Sequence, residues 1–219
     1  MLHNFNRSAN KKKLTFLQSA ANTAGQTSYT FSSQNLGVAT NDRVIIVCAF
    51  GSAASSFTLN SITLGGTAMT SVVSTGSTVA PTSIYRITST SGTSANVVVT
   101  FSGSSTRCAI AMYSLTGFGT VTNHDTASTL ASTATLSNTI DTAYNGVIIG
   151  IGNQFRTGGS TISSYAGFTS KDVDSVPDTD SRLFVGSSNF TTAATNATYS
   201  VTFSNTSTGN SSLVSAAFS

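Results

Sequence analysis

The chain has 219 residues, enough for one large or two small domains, with 39% hydrophobic and 8% charged residues and a formal net charge of +3. Average soluble chains carry roughly 25% charge, so this surface is unusually uncharged, while the apolar share is large enough to build a core and excludes wholesale disorder. Glu and Trp are absent, Lys occurs four times, and Ser and Thr make up about a third of the chain; an all-helical fold is excluded because the residues that fill exposed helical faces are nearly missing.

The chain opens with MLHNFNRSANKKKLT. Arg7, Lys11, Lys12 and Lys13 supply four positive charges before the first acid, Asp42, and the remaining six basic and seven acidic residues leave −1 for everything after Lys13. The basicity therefore belongs to an N-terminal arm, residues 1–12, bordered by Lys13. Such an arm is a solvated terminus, a docking element for a larger assembly, or a contact for nucleic acid. Nucleic acid is not expected as a partner, because no aromatic residue interleaves with the lysines. Nothing in residues 1–15 reads as a signal-peptide core, so no secretory export is expected. The mean hydropathy is +0.13 and no apolar run approaches the roughly 18 residues of a membrane span, so no membrane partner is expected either.

Beyond the arm, apolar runs rich in Val, Ile, Phe and Thr alternate with Gly, Ser, Asn and Thr clusters, the pattern of strands joined by turns. Fainter strand patterns cover Leu14–Gln18, Ser28–Phe31, Phe57–Leu64 and Ser132–Leu136. Eight clearer ones cover Arg43–Phe50, Ser83–Thr88, Ala95–Ser102, Arg107–Leu115, Gly146–Gly152, Arg182–Ser187, Ala197–Ser204 and Ser212–Phe218. The continuous apolar runs at Val44–Phe50 and Val147–Ile151 predict strands buried on both faces, by a sister unit or another subunit. Gly65 and Gly66 read as a turn, and Cys48 and Cys108 as core thiols.

The two halves correspond in order. RVIIVCAF at Arg43 matches GVIIGIGN at Gly146, ITLGGTAMTSV at Ile62 matches ISSYAGFTSKDV at Ile162, and SIYRIT at Ser83 matches SRLFVG. NVVVTFSG at Asn96 then matches YSVTFSNT at Tyr199, and RCAIAMYSL at Arg107 matches SLVSAAF at Ser212, with offsets of 98 to 105 residues. The expectation is an all-β chain of two tandem antiparallel β-sandwich units, jelly-roll or Ig-like, related by internal duplication: residues 13–118 and 119–219, hinged at Gly117, Phe118 and Gly119.

Catalytic signals are sparse. His3 lies in the arm, His124 has only Asp125 beside it, and adjacent residues on a strand point to opposite faces. No nucleophile elbow, phosphate loop or HExxH zinc motif occurs, so no enzyme activity and no cofactor are expected. Asp172, Asp174, Asp178 and Asp180, four of the seven acids, cluster in KDVDSVPDTDSR. Their spacing is not that of a calcium-binding EF-hand, and the stretch reads as a solvated loop whose charge Lys171 and Arg182 offset, with calcium as the alternative. The five glycosylation sequons are what chance gives in a chain this rich in Ser and Thr.

The run from LTFLQSAAN through LG at Leu36 and Gly37, DR at Asp42 and Arg43, ITLGG at Ile62–Gly66, IY at Ile84 and Tyr85, and the closing strands Val97–Ser102 and Ala109–Leu115 resembles a β-rich module of tailed-bacteriophage virion structural proteins. In the second half, Asn145 and Gly146 replace the Asp-Arg pair and Ser164–Ala166 replace Leu-Gly-Gly, so the resemblance is carried there by the repeat. It implies a non-enzymatic virion protein, assembled in the host cytoplasm, decorating the capsid or forming a head fibre. Its implied partners are other virion proteins and further copies of itself, with Arg7, Lys11, Lys12 and Lys13 as the docking arm. The alternatives are a tail-fibre or baseplate module that binds host saccharide, through Tyr85, Tyr113, Tyr165 or Tyr199, and a major coat protein with a genome-binding arm.

Overall fold

The computed structural model describes residues 12–76, 78–155, 160–178, 181–206 and 211–219, with the backbone alone at 176–178. Arg7 and Lys11, half of the expected docking arm, lie outside the described residues, as does Asp180. The described residues form strands and no helix. The first half contributes β1 (Lys13–Asn22), β2 (Gln26–Asn35), β3 (Val44–Ser52), β4 (Leu59–Leu64), β5 (Thr67–Ala68), β6 (Thr70–Ser74), β7 (Thr82–Thr88), β8 (Ser94–Ser105) and β9 (Arg107–Thr116). The second contributes β10 (Asn123–Ala131), β11 (Thr135–Thr142), β12 (Val147–Phe155), β13 (Ile162–Ala166), β14 (Ser170–Asp178), β15 (Ser181–Asn189), β16 (Ala194–Phe203) and β17 (Ser211–Phe218).

All pairings are antiparallel and make four sheets, ordered β1-β9-β3-β7-β6, β2-β8-β4-β5, β10-β17-β12-β15-β14 and β11-β16-β13. Replacing β1, β2, β3, β4, β6, β7, β8 and β9 by β10, β11, β12, β13, β14, β15, β16 and β17 turns the first two orders into the last two, except that β5 has no counterpart. The shared order includes the first two strands of each half, where the sequence correspondence is lost.

Side-chain alternation sorts the apolar residues into three layers. Ile45, Val47, Ile110 and Met112 face β2, β4 and β8 and form the core of the first sandwich with Tyr29, Ile62, Val97, Val99 and Phe101. Ile148, Phe184 and Leu213 do the same in the second, with Leu136, Tyr199, Val201 and Phe203. The opposite faces of the two five-stranded sheets pack on each other. Val44, Ile46, Cys48, Phe50, Ala109, Ala111, Tyr113 and Leu115 meet Val147, Ile149, Ile151, Val185, Val214, Ala216 and Phe218. Every residue of β3 and of β17 is consequently buried, and the sister unit is what covers the second face of the two apolar runs.

The contact between the halves repeats with the halves exchanged. Near the start of β7, Thr82 donates to Ser212 of β17 at 3.0 Å, and Ser212 donates to the Ala80 carbonyl at 2.9 Å. At the start of β15, Ser181 accepts from Arg107 of β9 at 2.9 Å. Likewise β6 faces β10 while β1 faces β14. This is the reciprocity of a two-fold interface, here inside one chain.

Several strands lie outside the expected set: β5, β6, β10, β13 and β14. Ser132–Leu136 is displaced, with the strand running instead over Thr135–Thr142. The aspartate stretch read as a loop is the edge strand β14, hydrogen-bonded to β15. An edge strand has only one partner and tolerates charged residues and proline, so its sequence lacks the apolar run that marks a central strand. The expected Gly65–Gly66 turn joins β4 and β5, with φ of 56° and 83°, values that a residue without Cβ adopts at no steric cost.

Candidate functional site

Lys12 and Lys13 are the described part of the arm, and they lie at its root. Lys13 opens β1 and pairs in register with Thr116, while the Lys12 ammonium stands 4.9 Å above the Phe118 ring, a cation–π geometry. The arm's base is therefore fastened to the segment that joins the halves. That segment is also held by Asp42, which accepts the Gly117 amide at 2.6 Å and the Thr40 hydroxyl at 3.0 Å. Burial opposes the charge on Asp42, yet hydrogen bonds from Thr40, Gly117 and Gly119 outweigh it and lower the pKa below its ordinary value.

Two clefts flank this region and occupy corresponding places. One, about 420 Å³, lies between Asn41, Asp42 and Val44, the end of β7 at Arg86–Thr88, and Gly119–Val121 leading into β10. The other, about 690 Å³, lies between Asn145–Val147, the end of β15 at Asn189–Thr191, and Lys12–Leu14 leading into β1. In each, the entry strand of one half closes against the β3 or β12 end of the other. Only the second carries the arm and its lysines.

The residues preceding β3 and β12 also correspond, and they differ chemically. Arg43 and Gly146 each donate their amide to the carbonyl three residues back, Thr40 at 3.3 Å and Ala143 at 3.0 Å. Each then accepts from the residue after the neighbouring strand, Ser89 or Phe190, at 2.9 Å. Arg43 is fully buried. Its guanidinium donates to the carbonyls of Ser89 (2.6 Å), Leu36 (3.2 Å), Gly37 (3.0 Å), Ser91 (2.7 Å) and Gly92 (2.9 Å). It thus plugs the gap between the β2–β3 and β7–β8 loops, its charge shared among carbonyl dipoles, and burial lowers its pKa. Gly146 has no side chain to do this, and a Cβ there would stand 2.8 Å from the Phe218 carbonyl oxygen. Between the β11–β12 and β15–β16 connections the second half has an open cleft of about 660 Å³ lined by His124, Asp141–Tyr144 and Ala193–Thr195.

Asp172 and Asp174 have partners within the protein. Lys171 and Val173 flank a register shift in β14, and Asp172 between them accepts from Tyr113 (2.7 Å), Ser187 (2.6 Å) and Ser170 (2.5 Å), so it pins the two halves together. Asp174 pairs with Lys171 at 2.6 Å and with Arg182. The side chains of Asp178 and Asp180 lie outside the described residues, and among the described residues no three or more His, Cys, Asp or Glu side chains gather as a metal site would require. Of the tyrosines expected to be open to a sugar, Tyr85, Tyr113 and Tyr199 are buried in the cores, and burial raises the pKa of each, for Tyr199 to about 12. Tyr165 is partly exposed and leans on Phe184. The most exposed tyrosine is Tyr144, at 67% accessibility, which the sequence reading passed over. Its signal was its position in the turn TAYNG rather than in a strand.

Asp125 spends its carboxylate on the Thr126 and Asp141 amides, both at 2.7 Å, leaving His124 exposed without that acid as an orienting partner. Cys48 and Cys108 are free and buried on opposite faces of their sheet, Cys48 towards the second half and Cys108 in the first sandwich. Burial pushes both thiols well up.

No family model matches the chain, and no curated protein matches its sequence.

Proposed function

We propose that the protein is a non-enzymatic structural component of a tailed-bacteriophage virion, a capsid decoration or head-fibre protein attached through its N-terminal arm. The observation that supports this most is how charge sits on the fold. A body closed by three stacked apolar layers presents a hydroxyl-rich, charge-poor surface, while the cations of the arm lead into a root fastened at Lys12–Phe118 beside an open cleft. A closed body with basic residues clustered at one exit suits attachment to a larger assembly, where cations supply a salt-dependent attraction. The virion assignment itself rests on the sequence resemblance described above.

The test is a truncation lacking residues 1–11, which leaves Lys12, Lys13 and β1 intact. The full chain should co-sediment with particles depleted of the protein, and the truncated chain should not, with both showing the same circular dichroism and melting temperature. Equal co-sedimentation of a folded truncation would overturn attachment by the arm.

A further inference from the structure

We infer that the cleft around Tyr144 is a saccharide-binding site in the second half of the protein. It lies between the β11–β12 and β15–β16 connections. The connection into β12 has four residues, 143–146, against eight, 36–43, into β3, so the first-half stretch whose Leu36 and Gly37 carbonyls hold Arg43 is shortened beside this cleft. The cleft has the parts of a sugar subsite. The Tyr144 ring is 67% exposed, and an accessible aromatic face stacks on the C–H face of a pyranose while its hydroxyl stays in water. Asp141 lines the same cleft, fixed by the Asn196 amide on its Oδ1 at 2.7 Å, and a positioned carboxylate accepts from sugar hydroxyls. His124 and Thr195 complete the polar rim. A volume of about 660 Å³ falls within the range of small-molecule sites. The proposal does not depend on arm attachment, since the cleft belongs to the β-sandwich body.

The experiment uses the intact protein and a panel of bacterial-surface oligosaccharides, neutral and acidic, with arginine amide as a guanidinium probe. Binding is read by NMR line broadening of the sugars and then by titration calorimetry. At least one oligosaccharide should bind. Tyr144→Ala, a change at an exposed side chain, should weaken it about tenfold. Val38→Ala, at a still more exposed position in the first half (80%), should leave it unchanged. No binding across the panel, binding that survives Tyr144→Ala, or capture of arginine amide alone would each overturn the proposal. None of these results bears on whether the arm attaches the protein to particles.

Discussion

Replacing Arg43 by Met keeps an apolar stem of similar length and removes the charged plug. Five backbone carbonyls lose their donor. Ser91 and Gly92 are exposed, so water replaces the guanidinium there at little net cost. Leu36 is buried and Gly37 and Ser89 are half-buried, and each carbonyl stranded in such surroundings costs about 1 kcal/mol net. The expected loss is therefore about 3 kcal/mol, measured by urea denaturation at pH 7 with an unchanged m-value. Arg43→Lys keeps the charge but presents a compact head in place of a planar fork, so it should recover only part of the loss. A loss below about 1 kcal/mol for Met would refute the assignment of Arg43 as the clamp between the two loops.

Three further outcomes follow from the packing and the titrating groups. Ile149 is fully buried in the layer shared by both halves, so Ile149→Ala should cost about 2–5 kcal/mol. Both parent and variant should melt in one calorimetric transition, and two separable transitions would contradict a shared core. Asp42 has a folded pKa below its ordinary value of 3.8. Its contribution is thus present above that value and lost as pH falls through the lower folded pKa, so the stability gap between the parent and Asp42→Asn should be open at pH 6 and close in strong acid; a gap that widens in acid would contradict this. Cys48 and Cys108 should resist a thiol reagent at pH 8 until the protein unfolds, and prompt labelling of either would contradict their burial.

What could be read in the sequence depended on where each residue sits. Central strands such as Val44–Ser52 and Val147–Phe155 announce themselves, since burial on both faces requires an unbroken apolar run. The edge strand Asn123–Ala131 alternates half-buried and exposed residues, and NHDTASTLA carries no apolar pattern to mark it. Composition could not reveal that Arg43 is buried, because three of its five carbonyl partners, Ser89, Ser91 and Gly92, lie 46 to 49 residues away in sequence. The tyrosines chosen for sugar contact were misplaced for a similar reason. Tyr113 and Tyr199 sit in strands whose inward face was already legible, whereas Tyr144 sits in a turn and stays at the surface. The pairing of halves across a common layer was foreshadowed only by the length of the two apolar runs.

The most direct test of the virion assignment is immunogold electron microscopy of phage particles from the source lysate, with antibody raised against the β-sandwich body. Gold should be regularly spaced over the head. Label confined to the tail, or particles carrying none, would contradict it.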